Sequence, residues 1–456
     1  MNSGGMMKKF SVVFLAVALM AFMPLLTHAQ VNQALSTLNP YLDFNTLGGG
    51  ARAAGMGGAF IGLSEGEFAY SWNPGALIFF QKNYLGIQLV SASDKFTMPV
   101  LNGSPSLDIY TLQSAEVKRD HFSLDVGGFG VPFSFLDRNW AVGGGYRNIY
   151  DMDTKYEYPS FYGDLNNVTT TDGVDAVSLA LAGLLTDGLG FGITANSYVR
   201  GYERNSWNLK AFEFQSTIDP FPDTLDIWIN ETSHYSGVNF DLGLAASYGI
   251  FKGGAVIHTP YNLKQNVKFT QTFMAAPLPG GTINRITYTT KFPLGFSAGV
   301  AVAPFEKLTL AMDLDSRPMS KAKIIENWEA IEMPDSEYDP NWENLTQFRI
   351  GAEYTLDAGF ASLPLRLGFR NDPSIKKELL NWTGDSTSVT STPGKQIKTS
   401  IFTLGSGLHF GKAWIDFAYQ FGSSSYDSHI IYFNNDKNIE QKRDYSRLLI
   451  SAGMYF

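Results

Sequence analysis

The sequence contains no cysteine. This absence excludes disulfide bonds, thiol catalysis, cysteine-ligated metals and a lipid-modified N-terminal cysteine. Charged residues are also scarce, at 17% of the 456 positions, whereas aromatic residues make up 14%. The formal net charge is −9 and no basic patch is present, so the composition does not indicate nucleic-acid binding. The chain has few charges for a soluble surface and many rings.

After the N-terminal segment, the chain contains no window of 18 or more apolar residues. A membrane-spanning helix is therefore not expected in the mature chain. The N-terminus itself predicts a secretory signal peptide over residues 1–29: two lysines precede the apolar run Phe10–Leu26, and Ala29 is a small residue before the cleavage site. A transmembrane anchor is the alternative, but the run is interrupted at Pro24.

From residue 84 onward, apolar residues alternate with small or polar ones. In Ser236–Ile250, every even-numbered residue after the first is apolar, whereas the odd-numbered residues include Asn239 and Asp241. A period of two with one apolar face indicates a β-strand, and carboxylates opposite that face indicate a polar lumen. The last stretch, Tyr445–Phe456, has the same pattern and is expected to close the structure. The sequence predicts a transmembrane barrel.

About fourteen such segments occur, an even number as bacterial barrels have. The connections alternate between long and short, and short ones such as Asp187-Gly188 and Gly411-Lys412 have turn chemistry. This rhythm predicts long extracellular loops, short periplasmic turns and both termini in the periplasm. The fold class is therefore all-β, a transmembrane antiparallel β-barrel of about 14 strands. The predicted strands are 84–92, 121–135, 140–150, 174–184, 189–203, 236–250, 253–261, 286–302, 307–315, 345–356, 362–370, 400–410, 413–421 and 445–456.

The segment before the first strand does not alternate, and two motifs stand out in it. They are R-A-A-G-M-G-G-A-F at Arg52–Phe60 and W-N-P-G-A-L at Trp72–Leu77. The pair resembles the opening of the FadL/TodX/OMPP1-type outer-membrane transporter superfamily, which includes the PorV and PorQ proteins of type IX secretion. The family more often has Asn-Pro-Ala where this chain has Asn-Pro-Gly. The resemblance implies an N-terminal hatch at residues 30–83 that plugs a transmembrane barrel at residues 84–456.

Four residues of these motifs are predicted to bind a ligand or to gate the hatch: Arg52, Trp72, Asn73 and Pro74. Proline lacks an N–H donor and restricts the residue before it, so Asn73-Pro74 is expected to fix a sharp turn next to Trp72. Arg52 is a lone charge among glycine and alanine, and it would be costly inside a barrel without a partner. It is expected either to pair with a lumen carboxylate or to steer the carboxylate of an amphipathic acid.

Catalytic and metal-binding motifs are weak. Two G-x-S-x-G matches occur, at residues 62–66 and 295–299, but neither lies at the strand-to-helix turn that a nucleophile elbow needs. The histidines are scattered without metal-binding spacing. Asp151 and Asp153 could contact a cation in a loop, although a solvated loop explains them more simply. The sequence predicts no enzyme activity, no metal and no cofactor.

The resemblance implies a monomer in the bacterial outer membrane that passively takes up hydrophobic or amphipathic small molecules, such as long-chain fatty acids or hydrocarbons. A ligand would be captured at the outer loops and enter an apolar pocket above the hatch. It would leave after the hatch shifts or through a side opening. The alternative is a PorV-like barrel whose acidic, aromatic loops bind secreted proteins.

Overall fold

The computed structural model describes nine stretches of the chain. They are residues 47–64, 66–104, 109–159, 165–208, 226–274, 280–328, 335–384, 389–432 and 435–456. The predicted signal peptide and residues 30–46 of the predicted hatch lie outside the described residues. Within these stretches, no helix combines the length and the hydropathy needed to cross a bilayer.

The helices are short and the strands are many. The helices are α1 (Ala51–Gly55) and the 3-10 helices Ala69–Ser71, Pro74–Phe79 and Met319–Lys321. The strands are β1 (Tyr84–Ser104), β2 (Ile109–Phe135), β3 (Arg138–Asp151), β4 (Thr154–Pro159), β5 (Leu165–Thr186), β6 (Leu189–Val199), β7 (Gly201–Asn208), β8 (Asp226–Tyr248), β9 (Phe251–His258), β10 (Tyr261–Met274), β11 (Gly280–Phe292), β12 (Gly295–Phe305), β13 (Leu308–Arg317), β14 (Lys323–Trp328), β15 (Ser336–Tyr338), β16 (Leu345–Asp357), β17 (Ser362–Gly384), β18 (Val389–Phe410), β19 (Ala413–Tyr432) and β20 (Asn435–Tyr455).

A closed wall of fourteen antiparallel strands organises the described residues. Each wall strand pairs with the next one along the chain, and β20 pairs with β1 from Tyr84–Tyr455 onward, which closes the barrel. The predicted strand number and the closing position of Tyr445–Phe456 are confirmed. The wall consists of β1, β2, β3, β5, β6, β8, β9, β12, β13, β16, β17, β18, β19 and β20.

Two predicted strands run across breaks. The span 189–203 passes from β6 into β7 across Arg200, which has a φ of 67°. The span 286–302 combines the end of β11 with the start of β12, and the break between them contains Pro293. Proline has no N–H to donate to a ladder, so it interrupts the strand. β12 belongs to the wall, whereas β11 pairs with β10 and β14 outside it. The apolar–polar alternation runs across the break and therefore conceals it.

The two faces of the wall differ in the predicted way. On β8, Val238 and Leu244 are 51% and 50% exposed, whereas Asn239 is 5% exposed. The outward side chains form an apolar belt that suits a lipid environment, because the hydrocarbon core of a bilayer offers no hydrogen-bond partners. The inward side chains include many buried charges, among them Asp313 and Arg349. These charges face the lumen and its contents.

Six strands continue the sheet beyond the wall, at the end opposite the short turns: β4, β7, β10, β11, β14 and β15. The sequence predicts only long connections there. The stacked rings of Tyr198, Tyr261 and Phe292 lie at this end, with centroid distances of 5.2 and 4.7 Å. They belong to an apolar cluster to which β5, β6, β10, β11 and β17 all contribute, and this end of the barrel is called the upper end here.

Candidate ligand site and the segment beneath it

Residues 47–64 and 66–80, called the inner segment here, lie inside the wall. The segment includes α1, whose side chains apart from that of Arg52 are no larger than a methyl group. Small residues let two backbones approach closely. The wall therefore reaches the inner segment with short side chains: the Ala51 amide donates to Ser451 Oγ at 3.1 Å, and the Gly57 amide donates to Thr403 Oγ1 at 2.9 Å.

A wall carboxylate fixes the middle of the inner segment. The amides of Phe60 and Ile61 donate to Asp313 Oδ2 at 2.5 and 2.7 Å, and Asp313 is 1% exposed. Hydrogen bonds to an ionised acceptor are among the stronger ones in proteins. The sequence pattern places Asp313 on the lumen face, but its role as an anchor depends on a contact that the pattern does not contain.

Arg52 lies in an ion-pair network at the wall. Its Nε and Nη2 atoms donate to the two oxygens of Glu353, at 3.0 and 2.7 Å. Arg366 donates to the same carboxylate at 2.6 Å and, through Nη1, to Asp416 at 2.6 Å. Of the two expectations for Arg52, the geometry shows the ion pair with a lumen carboxylate.

Asn73 joins three parts of the molecule. Its side-chain amide donates to the carbonyl oxygens of Leu244 on the wall (2.9 Å) and of Ile61 in the inner segment (3.1 Å). Its Oδ1 atom accepts from the Gly75 amide at 3.0 Å and so caps the 3-10 helix that begins at Pro74. A proline in the first turn of a helix loses no internal hydrogen bond. Asn73-Pro74 therefore starts a helix where the sequence predicts a turn.

Two wall glycines make this contact possible. A Cβ atom at Gly192 would lie 2.4 Å from the carbonyl oxygen of Pro74, and one at Gly243 would lie 2.3 Å from Asn73 Oδ1. Both distances are too short for any side chain. The start of the 3-10 helix is therefore packed directly on the backbones of β6 and β8.

Trp72 occupies the boundary between the inner segment and the open lumen. Its indole N–H donates to the Gly49 carbonyl at 2.7 Å, and its ring meets Phe60 edge-on at 5.8 Å. The Arg349 guanidinium lies 5.7 Å from its ring centroid, within the range of a cation–π contact. The indole also lines a cavity.

The cavity has a volume of about 140 Å³ and lies between the inner segment and the upper lumen. Its apolar lining comes from both sides, for example from Leu47 and Trp72 of the inner segment and from Val90 and Leu449 of the wall. The lining is more polar than that of the apolar pocket expected from the family resemblance. It contains four arginines and three aspartates: Arg147, Arg370, Arg443, Arg447, Asp125, Asp151 and Asp372.

Arg370 has unused hydrogen-bonding capacity at this cavity. The residue is 2% exposed, and its Nη2 atom donates to Gln420 Oε1 at 3.2 Å and to the Tyr445 hydroxyl at 3.3 Å. Its Nε and Nη1 groups have no hydrogen-bond partner among the described residues. A buried donor without a partner carries a free-energy cost that a bound acceptor would remove. Arg370 was not among the predicted site residues, although the sequence pattern places it on the inward face of β17.

A serine–histidine–aspartate arrangement also occurs in the lumen. Ser297, from the second G-x-S-x-G match, lies 2.8 Å from His258 Nε2, and His258 Nδ1 lies 2.6 Å from Asp241. However, the Ser297 hydroxyl donates to Asp315 at 2.6 Å and the residue is fully buried. A nucleophile needs access to its substrate and a base for its proton, so this arrangement fits a structural network better than a catalytic one.

The structure does not bring the four predicted site residues into one pocket. Trp72 lines the cavity, whereas Arg52 faces Glu353 and Asn73 and Pro74 face β6 and β8. Three of the four therefore connect the inner segment to the wall.

Sequence comparisons give no match, either with a family model or with a curated protein. Solved structures do resemble the chain. The crystal structure of a Pseudomonas aeruginosa FadL homologue aligns with 91% of this chain and 99% of its own, at 14% identity and a TM-score of 0.62. The structure of the Pseudomonas putida toluene transporter TodX aligns with 90% of this chain and 99% of its own, at 14% identity and a TM-score of 0.59. The structure of the Ralstonia pickettii toluene transporter TbuX aligns with 91% of this chain and 100% of its own, at 16% identity and a TM-score of 0.54.

These likenesses extend over the whole wall at low sequence identity, so they concern the fold. They agree with the resemblance drawn from Arg52–Phe60 and Trp72–Leu77. The chain has the fold of the FadL-type outer-membrane transporters.

Proposed function

We propose that this chain is an outer-membrane channel for the passive uptake of hydrophobic or amphipathic small molecules. The fold supports this proposal, since the structures that share it include a FadL homologue and toluene transporters. The apolar belt of the wall supports insertion in a bilayer. No step of such uptake requires catalysis or a cofactor.

The observation that carries the proposal is the mixed cavity above the inner segment. Apolar side chains such as Val90 and Leu449 offer a surface for a hydrocarbon group. Arg370, one of the four arginines that line the cavity, offers a positive charge for an anionic head group, and hydrogen bonds between charged groups are stronger than neutral ones. The ligand that fits best is therefore an amphipathic acid rather than a pure hydrocarbon.

The volume of the cavity limits what this conformation can hold. About 140 Å³ is close to an engineered protein cavity that binds a single benzene molecule. A head group or one ring fits such a space, and a long acyl chain does not. Passage of a longer ligand would require the inner segment to move.

We assign Arg52, Trp72, Asn73 and Pro74 to gating. In this proposal residues 30–83 form the hatch and residues 84–456 form the channel, after removal of residues 1–29. Arg52 and Asn73 hold the hatch on the wall through Glu353 and the Leu244 carbonyl, Pro74 starts the helix that contacts β6 and β8, and Trp72 separates the hatch from the cavity. Release of these contacts would open a path to the periplasm.

The test is native mass spectrometry with lipid extraction on the folded, detergent-purified barrel. We expect a stoichiometric amphipathic acid in the natural protein. In Arg370→Gln we expect the affinity for this acid to fall by about tenfold or more, because hydrogen bonds to charged groups contribute about 1.5–3 kcal/mol each. Arg200→Gln is the matched control, since Arg200 pairs with Asp172 and Asp175 and does not line the cavity.

An empty barrel, or a bound acid that Arg370→Gln leaves unchanged, would contradict the assignment of the cavity. An empty barrel that instead retains a secreted protein would favour the PorV-like alternative.

A further inference from the structure

Three side chains with metal-binding chemistry lie close together at the lumen face, away from the residues that contact the inner segment. They are His121 on β2, Asp151 at the end of β3 and Asp153 just after it. Each offers one ligand atom, and the three atoms lie within 4.8 Å of one another. All three side chains are largely shielded, at 14%, 13% and 26% exposure. The three side chains are therefore partly buried and not fully solvated.

Local structure holds the two carboxylates in place. The Asp153 amide donates to Asp151 Oδ1 at 3.0 Å, which fixes the spacing of the pair along the chain. His121 comes from a different strand, and its neighbours Phe122 and Leu124 are exposed on the outer face. Because side chains alternate along a strand, His121 points into the lumen.

Both nitrogens of the imidazole ring lie near a carboxylate oxygen. His121 Nδ1 lies 3.2 Å from an Asp153 oxygen, and Nε2 lies 3.6 Å from an Asp151 oxygen. A neutral imidazole has one donor and one acceptor nitrogen, so one of the two carboxylates faces a lone pair. A metal ion bound between the imidazole and the carboxylates would remove this repulsion.

We propose that His121, Asp151 and Asp153 form a binding site for a divalent transition-metal ion of the Zn²⁺ class. One imidazole nitrogen with two carboxylate oxygens is a donor set typical of such ions, whereas Ca²⁺ and Mg²⁺ prefer oxygen donors alone. Three protein ligands leave one or more coordination positions for water. The ion would join β2 to the connection after β3 and would neutralise Asp151 at the edge of the cavity.

Calorimetric titration of the chelator-treated, folded barrel with Zn²⁺ alone tests this site. We expect saturable binding of one ion per chain and a rise in the unfolding temperature on binding. Loss of a ligand lowers metal affinity by at least the roughly 10- to 100-fold that is typical of second-shell changes. His121→Gln and, separately, Asp153→Asn should therefore each weaken binding by about tenfold or more.

His429→Gln is the matched control. His429 Nε2 lies 2.6 Å from Asp436 in an exposed pair that has no third metal-binding side chain among the described residues, so this variant should bind Zn²⁺ as the natural protein does. Mobility of the unheated protein in a denaturing gel identifies variants that fail to fold. The proposal is wrong if no saturable binding occurs up to about 1 mM Zn²⁺, which corresponds to about −4 kcal/mol. It is equally wrong if binding survives both substitutions, since Zn²⁺ would then be bound elsewhere.

Discussion

At the scale of single residues, the lumen contains buried charges, and the partners of each charge determine its contribution to stability. Glu353 is held by two guanidinium groups, and the Arg366 side chain has no exposed surface. Removal of one partner from a buried ion pair leaves the other charge uncompensated and costs about 3–5 kcal/mol. The network is therefore more sensitive to the loss of its central carboxylate than to the loss of one peripheral cation.

We predict that Glu353→Gln destabilises the barrel by about 3–5 kcal/mol, because Arg52 loses its counter-charge and Arg366 loses one of its two carboxylate partners. Arg52→Gln should cost less, about 1.5–3 kcal/mol, because Arg366 still compensates Glu353. Urea unfolding of the barrel in lipid vesicles measures both values. An Arg52→Gln variant that is as unstable as Glu353→Gln would show that Arg52 is the centre of the network.

Residue chemistry predicted that Arg52 needs a partner, but the identity of that partner depends on the fold. Glu353 is 301 positions away in the sequence, and nothing local relates the two. The same limit applies to His121, which approaches Asp151 and Asp153 through the pairing of β2 with β3. That register runs through Val126–Arg147 and, if continued, brings His121 opposite residues 151–153. Spacing along the chain could not reveal this group without the register.

At the scale of elements, the contact of the 3-10 helix Pro74–Phe79 with the wall depends on glycines. Gly192 lies on β6 where the backbone of Pro74 crosses it, and a Cβ atom there would be 2.4 Å from the Pro74 carbonyl oxygen. The helix cannot keep its position if a methyl group is added, because overpacking displaces the backbone at a cost of about 1–3 kcal/mol.

Gly192→Ala should therefore lower the unfolding free energy by about 1–3 kcal/mol and raise the ion conductance of the barrel in a planar bilayer. Gly127→Ala is the matched control, because Gly127 is also a wall glycine and a Cβ atom there has no neighbour within 4 Å. If the two variants conduct alike, the contact between this helix and β6 does not control the path through the barrel.

Alternation predicted most wall strands because each one has a lipid face and a lumen face. It failed at residues 286–302 for a physical reason. Phe292 ends β11 and Gly295 begins β12, yet both strands alternate in the same phase, so only Pro293 marks the break. The strands beyond the wall were not predicted either, since they are not required to match a bilayer and carry no continuous apolar face.

At the scale of the whole molecule, the long and short connections give the barrel a direction. The turns after β5 and β18 contain two residues each, whereas the opposite end carries the six additional strands. In bacterial barrels, short turns face the periplasm and long loops face the outside. An inner segment that joins β1 from the short-turn side is then placed to enter the lumen from the periplasm.

The absence of cysteine makes this orientation testable without background labelling. Ser336 in β15 and Asp187 in the turn after β5 are both exposed and lie at opposite ends of the barrel. We expect a membrane-impermeant maleimide to label Ser336→Cys on intact cells, and to label Asp187→Cys only after the outer membrane is permeabilised. The unsubstituted chain should remain unlabelled in both cases. Labelling of Asp187→Cys alone on intact cells would indicate the opposite orientation of the barrel. The inner segment would then enter the lumen from the outside.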